Sequence, residues 1–393
     1  MPEVVVVAAA RTPIGRANKG SLVDVDAFAL AETAVQGALD RSGVDRSDID
    51  DLVLAESLQG GGVIGRYTAV RLGLVHVPGL ADNRHCAAGL SAVQIAAGSI
   101  RAGMDRVVIA GGTESLSSMP QTRKSIPASA RDHQPWMSPS HPATPDAPPW
   151  DMAITVGENT AREVGISRRD ADEWAALSHQ RAAASVDLGW FDAEVVAVEV
   201  TAPDGSIGSF ARDEHPRRDT TVHRLGELRP LHPELPGAII TAGNAAGLND
   251  AAAAVVMTGD DYAGAHGLAV LARIVSWANV GVEPARTGMG PVYAIPRALA
   301  RASLAIGDID VFEINEAFTP VAVAASRRLG IDPSILNVNG SGCGLGHPIA
   351  ATGARMVVTM IHELRRRGGG LGCVAMCAGG GMGSALVLEV PAP

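Results

Sequence analysis

Two cysteines of the sequence stand where a thiol could do chemistry. Cys86 ends a polar, strand-like stretch and precedes a helix predicted over 87–102, and the free N–H groups of a helix N-terminus favour a thiolate. Cys377 lies in an apolar strand that runs into the glycines 379–381. A thiolate can carry an acyl group covalently, and a second thiol in a different environment can act separately as an acid or base. Taken alone, each cysteine could equally be a small buried apolar residue.

An imidazole and an amide occupy similar turns. His347 stands between a glycine-rich loop and a helix predicted over 349–367, and Asn315 directly follows an apolar strand predicted over 311–314. Polar residues at the carboxyl end of such a strand often face a site in α/β proteins. Glycine-rich loops let backbone N–H groups approach a ligand and form an oxyanion hole. Together with the two thiols, these residues stand at strand-to-helix turns or strand ends, and the combination indicates a candidate catalytic site.

A metal site is the competing interpretation of Cys343, His347, Cys373 and Cys377. Cys373 and Cys377 lie in one predicted strand. Four residues along a strand span about 13 Å, which is too far for two ligands of one ion. The sequence therefore predicts no metal site.

The elements that must position these residues look duplicated. The strings Asp48–Glu56 and Asp308–Glu316 are similar, and each is followed by a small-residue helix and then by an apolar strand that ends in glycines. This repetition predicts two similar α/β halves with mixed sheets. Between them lie a proline-rich segment over 120–149 and a helix that Ser167–Asp170 opens as a capping box. An excursion of this length is typical of a lid or binding subdomain.

Composition excludes several classes of protein. The chain has 393 residues, of which 47% are hydrophobic and 19% charged, so a packed core in two or three domains is expected. The net charge of −10 and the presence of only two lysines argue against nucleic-acid binding. Four cysteines fit a reducing compartment, and Val4–Ala10 reads as a first strand rather than a signal peptide. No apolar run is long enough for a membrane span, so we expect a cytoplasmic protein.

The sequence resembles the thiolase family over nearly its whole length. The motifs that carry the resemblance, in family order, are Asn83-Arg-His-Cys-Ala-Ala-Gly89, Gly111-Gly-Thr-Glu-Ser115, Thr241-Ala-Gly-Asn-Ala-Ala-Gly-Leu-Asn-Asp250, Asn315-Glu-Ala-Phe318, Asn337-Val-Asn-Gly340, Gly346-His-Pro348 and Cys377-Ala-Gly-Gly-Gly-Met-Gly383. The resemblance implies a five-layered αβαβα fold of two duplicated halves, each with a mixed five-stranded sheet. The implied domains are an N-terminal half over 1–117 and 246–268, a loop domain over 118–245 that covers coenzyme A, and a C-terminal half over 269–393.

The resemblance also implies an activity and a role for each candidate residue. The activity is thiolysis of 3-ketoacyl-CoA, or the reverse Claisen condensation, in lipid metabolism such as fatty acid β-oxidation. Cys86 would be the acylated nucleophile, His347 would activate it, and Cys377 would be the acid or base at Cα of acetyl-CoA. Asn315 would hold a water that forms one oxyanion hole with His347, and the N–H groups of Cys86 and Gly379 would form the other. Acyl-CoA and coenzyme A are substrates, no cofactor is tightly bound, and the protein is a homodimer or homotetramer.

Several positions depart from the best-known biosynthetic pattern of the family. Met152-Ala153-Ile154 stands in place of His-Met-Gly, Thr287 replaces a methionine, Ala246 replaces a serine beside pantetheine, and His232 replaces a phenylalanine. Loss of two methionine side chains frees space at the acyl end, which favours longer or bulkier acyl chains. Arg217 matches the family arginine near the nucleotide end of coenzyme A. Arg217, Ala246 and Thr287 are therefore the predicted coenzyme A site residues.

Two alternatives remain open from the sequence. A ketosynthase-like condensing enzyme would have histidine or asparagine as its further catalytic groups, and the string Cys377-Ala-Gly-Gly380 argues against it. A catalytically silent acyl-CoA-binding scaffold would not need all four candidate catalytic positions to be filled, although the departures in the pocket keep this alternative in view.

Overall fold

The computed structural model describes residues 2–59, 61–127, 129, 132–201 and 204–392. Its strands, in chain order, are β1 (Val4–Arg11), β2 (Gly15–Arg16), β3 (Asp51–Ala55), β4 (Leu80–Asp82), β5 (Val107–Ser115), β6 (Arg123–Ser125), β7 (His133–Pro135), β8 (Val198–Thr201), β9 (Ile207–Phe210), β10 (Asn249–Gly259), β11 (Ala272–Gly281), β12 (Val311–Ile314), β13 (Gly370–Ala378) and β14 (Met382–Val390). Among these, β12 has the bounds that the sequence predicts.

The helices fall between these strands. In chain order they are α1 (Ala27–Ser42), α2 (Ile64–Arg71), α3 (Ala88–Ala102), α4 (Asn159–Val164), α5 (Arg168–Asp187), α6 (Val222–Gly226), α7 (Asp260–Ala265), α8 (Gly290–Arg301), α9 (Thr319–Leu329) and α10 (Ile349–Arg367). A π-helical segment, Ala153–Glu158, leads into α4. In the part of the chain that the structure describes, no helix is both long and apolar enough to cross a membrane.

The two halves share one strand order, which confirms the predicted duplication. The N-terminal half runs β1-β10-β5-β3-β4, and the C-terminal half runs β11-β14-β13-β12. Leu336 pairs in parallel with Phe312 on β12, in the place that β4 takes beside β3. In both halves two antiparallel pairs are followed by parallel pairing, so both sheets are mixed.

The two sheets are joined rather than separate. β1 pairs with β11 in antiparallel register at Val5–Arg273 and Val6–Ala272, which makes one continuous path of strands. The pairing is short and joins Val5 and Val6 of β1 to the start of β11. The sequence analysis did not include this contact between the halves.

Helices α3 and α10 form the middle layer of the molecule. One hydrophobic core contains residues of both helices and of strands from both halves. A second core packs α1 and α2 on the N-terminal half, and a third packs α8 and α9 on the C-terminal half. The order of layers is therefore helix, sheet, helix, sheet, helix, as predicted.

Small residues allow the two central helices to cross closely. A β-carbon on Gly353 would lie 2.2 Å from the backbone nitrogen of Leu90, and one on Gly89 would lie 2.3 Å from the carbonyl oxygen of Ala350. Contacts this short with backbone cannot be relieved by turning a side chain. The glycines therefore fix the distance between the turns that precede α3 and α10.

We expect Gly353→Ala to lower the free energy of unfolding by roughly 1–3 kcal/mol, because the added methyl forces α3 and α10 apart. Gly264→Ala is the matched control, since Gly264 is exposed in α7 with open space around its α-carbon. Alanine there should be neutral or stabilising by up to about 1 kcal/mol. Urea unfolding of both variants checks the prediction, and equal stability of the two would contradict it.

The excursion between the halves carries α4, α5, α6 and two short hairpins, β6–β7 and β8–β9. Ser167 and Asp170 form the predicted capping box at the start of α5. A buried ion pair holds the excursion to the core: Arg11 on β1 contacts Glu194 at 2.6 Å and Asp213 at 2.8 Å. These two carboxylates raise the pKa of Arg11 above its usual value, although burial opposes the rise.

Candidate active site

The turn that precedes α3 presents the Cys86 thiol. His85 takes a left-handed backbone conformation, with φ of 47°, and its N–H donates to Asn83 Oδ1 at 2.8 Å. The backbone N–H of Gly379, from the other half, is oriented toward the Cys86 sulfur and acts to lower the pKa of the thiol. Burial of the thiol nevertheless raises its pKa to about 11, although the residue keeps some exposed surface. The prediction that the helix N-terminus makes Cys86 a thiolate is therefore wrong for the free protein, because desolvation outweighs the N–H groups.

The turn that precedes α10 presents His347 next to the turn of Cys86. The His347 N–H donates to Asn249 Oδ1 at 3.0 Å, and its Nδ1 lies 2.7 Å from Thr352 Oγ1 on the first turns of the helix. Burial, and then the charge of Arg355, lower the pKa of His347 to about 3. The ring is therefore neutral at working pH. If Nδ1 donates its proton to Thr352, the lone pair of Nε2 is free to act as a base.

Strand β13 ends at the second thiol. Cys377 is only 2% exposed, and burial followed by the charge of Cys86 holds its pKa well above the ordinary value. The effect of Cys86 on the pKa of Cys377 indicates that the two thiols, which are far apart in sequence, lie near each other. The loop after β13 is fixed because Gly381 donates to Thr287 Oγ1 at 3.0 Å and accepts from Val282 N–H at 2.7 Å.

Asn315 reaches the same place from the end of β12. Its Nδ2 lies 3.4 Å from Nε2 and 3.5 Å from Nδ1 of His347. The side chain is fully buried, and its Oδ1 has no hydrogen-bond partner among the described residues. This oxygen can accept a hydrogen bond from a water or a ligand. The structure thus brings together Cys86, His347, Cys377 and Asn315, as the sequence analysis predicted.

Three buried residues that the sequence analysis did not single out hold these turns together. Glu114 accepts from the N–H of Ala350, in the first turn of α10, at 3.1 Å. Asn249, besides its contact with His347, donates to the carbonyl of Gly15 at 2.9 Å. Glu316 accepts from donors in α5, in the loop before α10 and at Asn337. All three lie within the motifs quoted above, so those motifs contained the residues. Their hydrogen-bond partners are distant in sequence, so the motifs did not predict the contacts.

The predicted coenzyme A residues lie in different environments. Arg217 is exposed on the loop before α6, where its backbone N–H donates to His179 Nδ1 at 3.3 Å. Ala246 is half-buried, and its N–H donates to Ala317 O at 2.9 Å. Thr287 has no exposed surface, and its hydroxyl is engaged with Pro284 O and the Gly381 N–H. Thr287 therefore supports the glycine loop from beneath rather than presenting a surface to a ligand.

The other pocket departures lie near the glycine loop. Met152 is half-buried, and its sulfur would lie 3.6 Å from a β-carbon on Gly379. His232 sits between Glu234 and Asp151, with ring nitrogens 2.8 Å and 2.9 Å from their carboxylates. The hydrogen bond that the His232 ring donates to Glu234 and the charge of Asp151 raise the pKa of His232, although partial burial opposes them. Within the described ranges, no group of histidine, cysteine and acidic side chains is placed to hold a metal ion.

The raised pKa of Cys86 predicts how its alkylation depends on pH. Only the thiolate reacts with iodoacetamide, and below the pKa the thiolate fraction rises about tenfold per pH unit. With a pKa near 11, the rate at Cys86 should still be rising at pH 9. Cys373 is fully buried and should stay unlabelled, whereas acyl-CoA should protect Cys86. Mass-spectrometric peptide mapping between pH 7 and 9 checks this. A plateau below pH 8, or earlier labelling of Cys343 or Cys373, would contradict it.

Family models match almost the whole chain. The model described as "Thiolase, N-terminal domain" matches residues 4–261, and the model described as "Thiolase, C-terminal domain" matches residues 268–390. Both matches include the turns described above: Cys86 and Asn249 fall in the first, and Asn315, His347 and Cys377 in the second.

Curated relatives and solved structures agree with these matches. The chain is 42% identical to the Beta-ketothiolase BktB of Cupriavidus necator, over 98% of this chain and 99% of the relative. It is 39% identical to an acetyl-CoA acetyltransferase of Escherichia coli, over 99% of both chains. The human mitochondrial 3-ketoacyl-CoA thiolase in complex with CoA superposes with a TM-score of 0.90 at 35% identity, covering 100% of this chain and 98% of that one.

Proposed function

The chain belongs to the thiolase family, and from this premise we propose how its site works. The protein is an acyltransferase that uses coenzyme A as a substrate. It thiolyses 3-ketoacyl-CoA to acetyl-CoA and a shortened acyl-CoA, or runs the reverse Claisen condensation. The observation that carries the proposed site is the meeting of two thiols beside the Gly379 N–H, with a neutral imidazole at the adjacent turn.

In thiolysis, the sulfur of Cys86 attacks the C3 carbonyl carbon of the substrate while His347 takes the thiol proton. The C2–C3 bond breaks, the shortened acyl group stays on Cys86 as a thioester, and C2 leaves as the enolate of acetyl-CoA. Cys377 donates its proton to C2. A coenzyme A thiol then gives its proton to the Cys377 thiolate and attacks the thioester. Acyl-CoA is released, and the departing Cys86 thiolate takes back the proton held by His347.

Each step places negative charge on an oxygen, and two sets of donors would stabilise it. One set is His347 together with a water held by Asn315, whose Oδ1 is buried and lacks a partner among the described residues. The other set is the N–H groups of Cys86 and Gly379, which face the reactive sulfur in the free protein. Donors fixed before the reaction, in a site that excludes water, lower the barrier most effectively.

A kinetic panel tests the proposal. Thiolysis of 3-ketoacyl-CoAs of increasing chain length with free CoA should follow ping-pong kinetics, and the preferred chain length reports the acyl pocket. Exchange of label between acetyl-CoA and CoA should occur without a second substrate. A folded protein that binds acyl-CoA but catalyses neither exchange nor thiolysis would instead be the silent scaffold.

Arg217 is the proposed contact for the nucleotide end of coenzyme A. The protein is acidic overall, so the phosphates need a local cation, and Arg217 is exposed. Replacing it by alanine should raise KM for CoA about fivefold, or ~1 kcal/mol, with little change in kcat, because the nucleotide is bound alike in ground and transition states.

Arg218→Ala is the matched control for Arg217→Ala, since Arg218 is ion-paired with Asp187 at 2.6 Å. It should leave KM for CoA unchanged. With a coenzyme A that lacks the 3′-phosphate, the effect of Arg217→Ala should shrink. An unchanged KM in Arg217→Ala, or an equal loss with both forms of the coenzyme, would assign Arg217 to the solvated surface instead.

The assembly, location and pathway complete the proposal. We propose a cytoplasmic homodimer or homotetramer with no tightly bound cofactor, working in lipid metabolism such as fatty acid β-oxidation. The arrangement of N-terminal half, covering loop domain over 118–245 and C-terminal half belongs to the same proposal. Light scattering of the purified protein distinguishes the two oligomeric states.

A further inference from the structure

Three side chains border the space next to the reactive sulfur, and none of them belongs to the proposed catalytic set. A β-carbon on Gly379 would lie 3.6 Å from Met152 Sδ, 3.9 Å from His85 Cγ and 4.0 Å from Ser140 Cβ. The N–H of the same glycine faces the Cys86 thiol. An acyl group on Cys86 would therefore extend past one thioether, one imidazole and one hydroxyl.

The hydroxyl of Ser140 is held in a defined orientation. His141 Nε2 lies 3.0 Å from the carbonyl oxygen of Ala147, to which only an N–H can donate. His141 Nδ1 lies 2.8 Å from Ser140 Oγ, and with the N–H on Nε2 the Nδ1 lone pair can accept the Ser140 hydroxyl proton. The lone pairs of Ser140 Oγ remain as acceptors, and Ser140 keeps some exposed surface while His141 is buried.

The imidazole of His85 complements this acceptor. Burial, and then the proximity of His141, lower the pKa of His85, so the ring is neutral and offers one N–H donor and one acceptor nitrogen. Its ring makes no hydrogen bond to the residues that the structure describes, although it is half-buried. A histidine in the left-handed conformation is also unfavourable by about 1 kcal/mol, and here the contact between its N–H and Asn83 holds it.

We propose that His85 and Ser140 are specificity-determining residues, which select substrates whose acyl chain carries a hydroxyl group close to the 3-keto carbon. The inference rests on the proposed thiolase function and names its substrate class. A hydroxyl is the neutral group that can donate to Ser140 and accept from His85 at once. Met152 would pack against the neighbouring methylene groups.

Other acyl chains fit this wall less well. A plain alkyl chain would bury the His85 ring without a hydrogen-bond partner and leave the free lone pairs of Ser140 Oγ unused, which is costly for polar groups that lose water. A carboxylate would bring a negative charge to a place where His85 is neutral and His141 is hydrogen-bonded to the backbone carbonyl of Ala147. The side chain of the neighbouring Arg84 is directed toward helix α3, where its guanidinium donates a hydrogen bond to Ser91 Oγ at 2.7 Å. A buried charge without a cation is the least favourable of the three.

The test compares two substrates that differ only in the group of interest. Thiolysis is measured with 5-hydroxy-3-oxohexanoyl-CoA and with 5-methyl-3-oxohexanoyl-CoA, in which a methyl replaces the hydroxyl. We expect kcat/KM to favour the hydroxylated substrate by about tenfold or more, because a site built to hydrogen-bond a hydroxyl discriminates against its absence. In Ser140→Ala and in His85→Phe this ratio should fall to near one.

Two further variants separate specificity from a structural effect. Ser140→Thr keeps the hydroxyl and should restore most of the preference. Ser138→Ala removes an exposed hydroxyl from the same segment and should keep the full ratio. Because phenylalanine in the left-handed conformation could destabilise His85→Phe, its melting temperature is measured alongside, and Ser140→Ala serves as the independent variant.

The outcomes are distinct. A ratio that is unchanged in Ser140→Ala, or an unaltered protein that prefers the methyl substrate, overturns the inference but leaves the thiolase function standing. Failure to thiolyse any 3-ketoacyl-CoA of the kinetic panel refutes the proposed function and this inference with it, whereas thiolysis of others but of neither of these two substrates overturns the inference alone. A ratio that falls in Ser140→Ala and recovers in Ser140→Thr supports both.

Discussion

Replacing Cys86 by alanine is expected to abolish thiolysis and condensation together. No other described thiol can take its place as the acyl carrier: Cys343 and Cys373 are fully buried, and Cys377 has a pKa well above the ordinary value. Removal of a catalytic nucleophile costs roughly 10⁴- to 10⁶-fold in turnover, or about 5–8 kcal/mol of transition-state stabilisation.

The fold should survive this change. The turn that contains Cys86 is held by backbone hydrogen bonds and by the close packing of Gly89 against the backbone of Ala350, not by contacts of the sulfur. Cys373→Ala is the matched control. It removes a buried thiol from β13 and should lower stability while leaving the turnover of the folded protein intact. Mass spectrometry should find acyl groups on Cys86 in the unaltered protein and on no residue in Cys86→Ala. Residual turnover above about one part in a hundred would assign the acyl carrier to another residue.

Sequence patterns were sufficient for the principal elements around the candidate site, whereas the roles of Cys86, His347, Cys377 and Asn315 follow from the resemblance and stay predictions. Helix α10 begins and ends where the pattern predicts, because Pro348 precedes it and a left-handed glycine follows Arg367. The duplication was visible because both halves repeat one order of strand, small-residue helix and apolar strand.

Long-range contacts and burial could not be predicted in this way. The sequence placed Cys86 before a helix, which favours a thiolate, but only the assembled layers bury the thiol and raise its pKa to about 11. The links through Asn249 and Glu114 join residues far apart in the chain, so their pairing depends on packing between the halves. The pairing of β1 with β11 likewise depends on packing between the halves. Packing also decides the place of Thr287, which is smaller than the family's methionine yet lies beneath the glycine loop rather than in an open pocket.

The second large effect is expected for Cys377→Ser, and it should fall on the carbon–carbon step. Serine has nearly the size of cysteine, but its hydroxyl is far too weak an acid to exchange a proton with C2 of acetyl-CoA. A positioned acid or base contributes typically 10²–10⁴-fold, so turnover should fall by about that factor, or roughly 3–5 kcal/mol. The high pKa of Cys377 in the free protein agrees with a group that is protonated and ready to donate during thiolysis.

Acyl transfer onto Cys86 should be slowed yet detectable in Cys377→Ser, because His347 and the Gly379 N–H remain. The iodoacetamide reaction of Cys86 should also persist. This division distinguishes acid–base catalysis from a purely structural role, in which acylation and carbon–carbon cleavage would decline together with stability.

Cys373→Ser supplies the structural comparison, because Cys373 lies in the same strand, is equally buried and faces the same hydrophobic core as Cys377. Both variants bury a hydroxyl in place of a thiol and should lose stability to a similar extent, measured as melting temperature. Only Cys377→Ser should lose turnover per folded molecule. If folded Cys377→Ser thiolysed 3-ketoacyl-CoA at nearly the unaltered rate, proton transfer at C2 would have to come from another group, and the second thiol would be a packed strand residue beside a glycine turn.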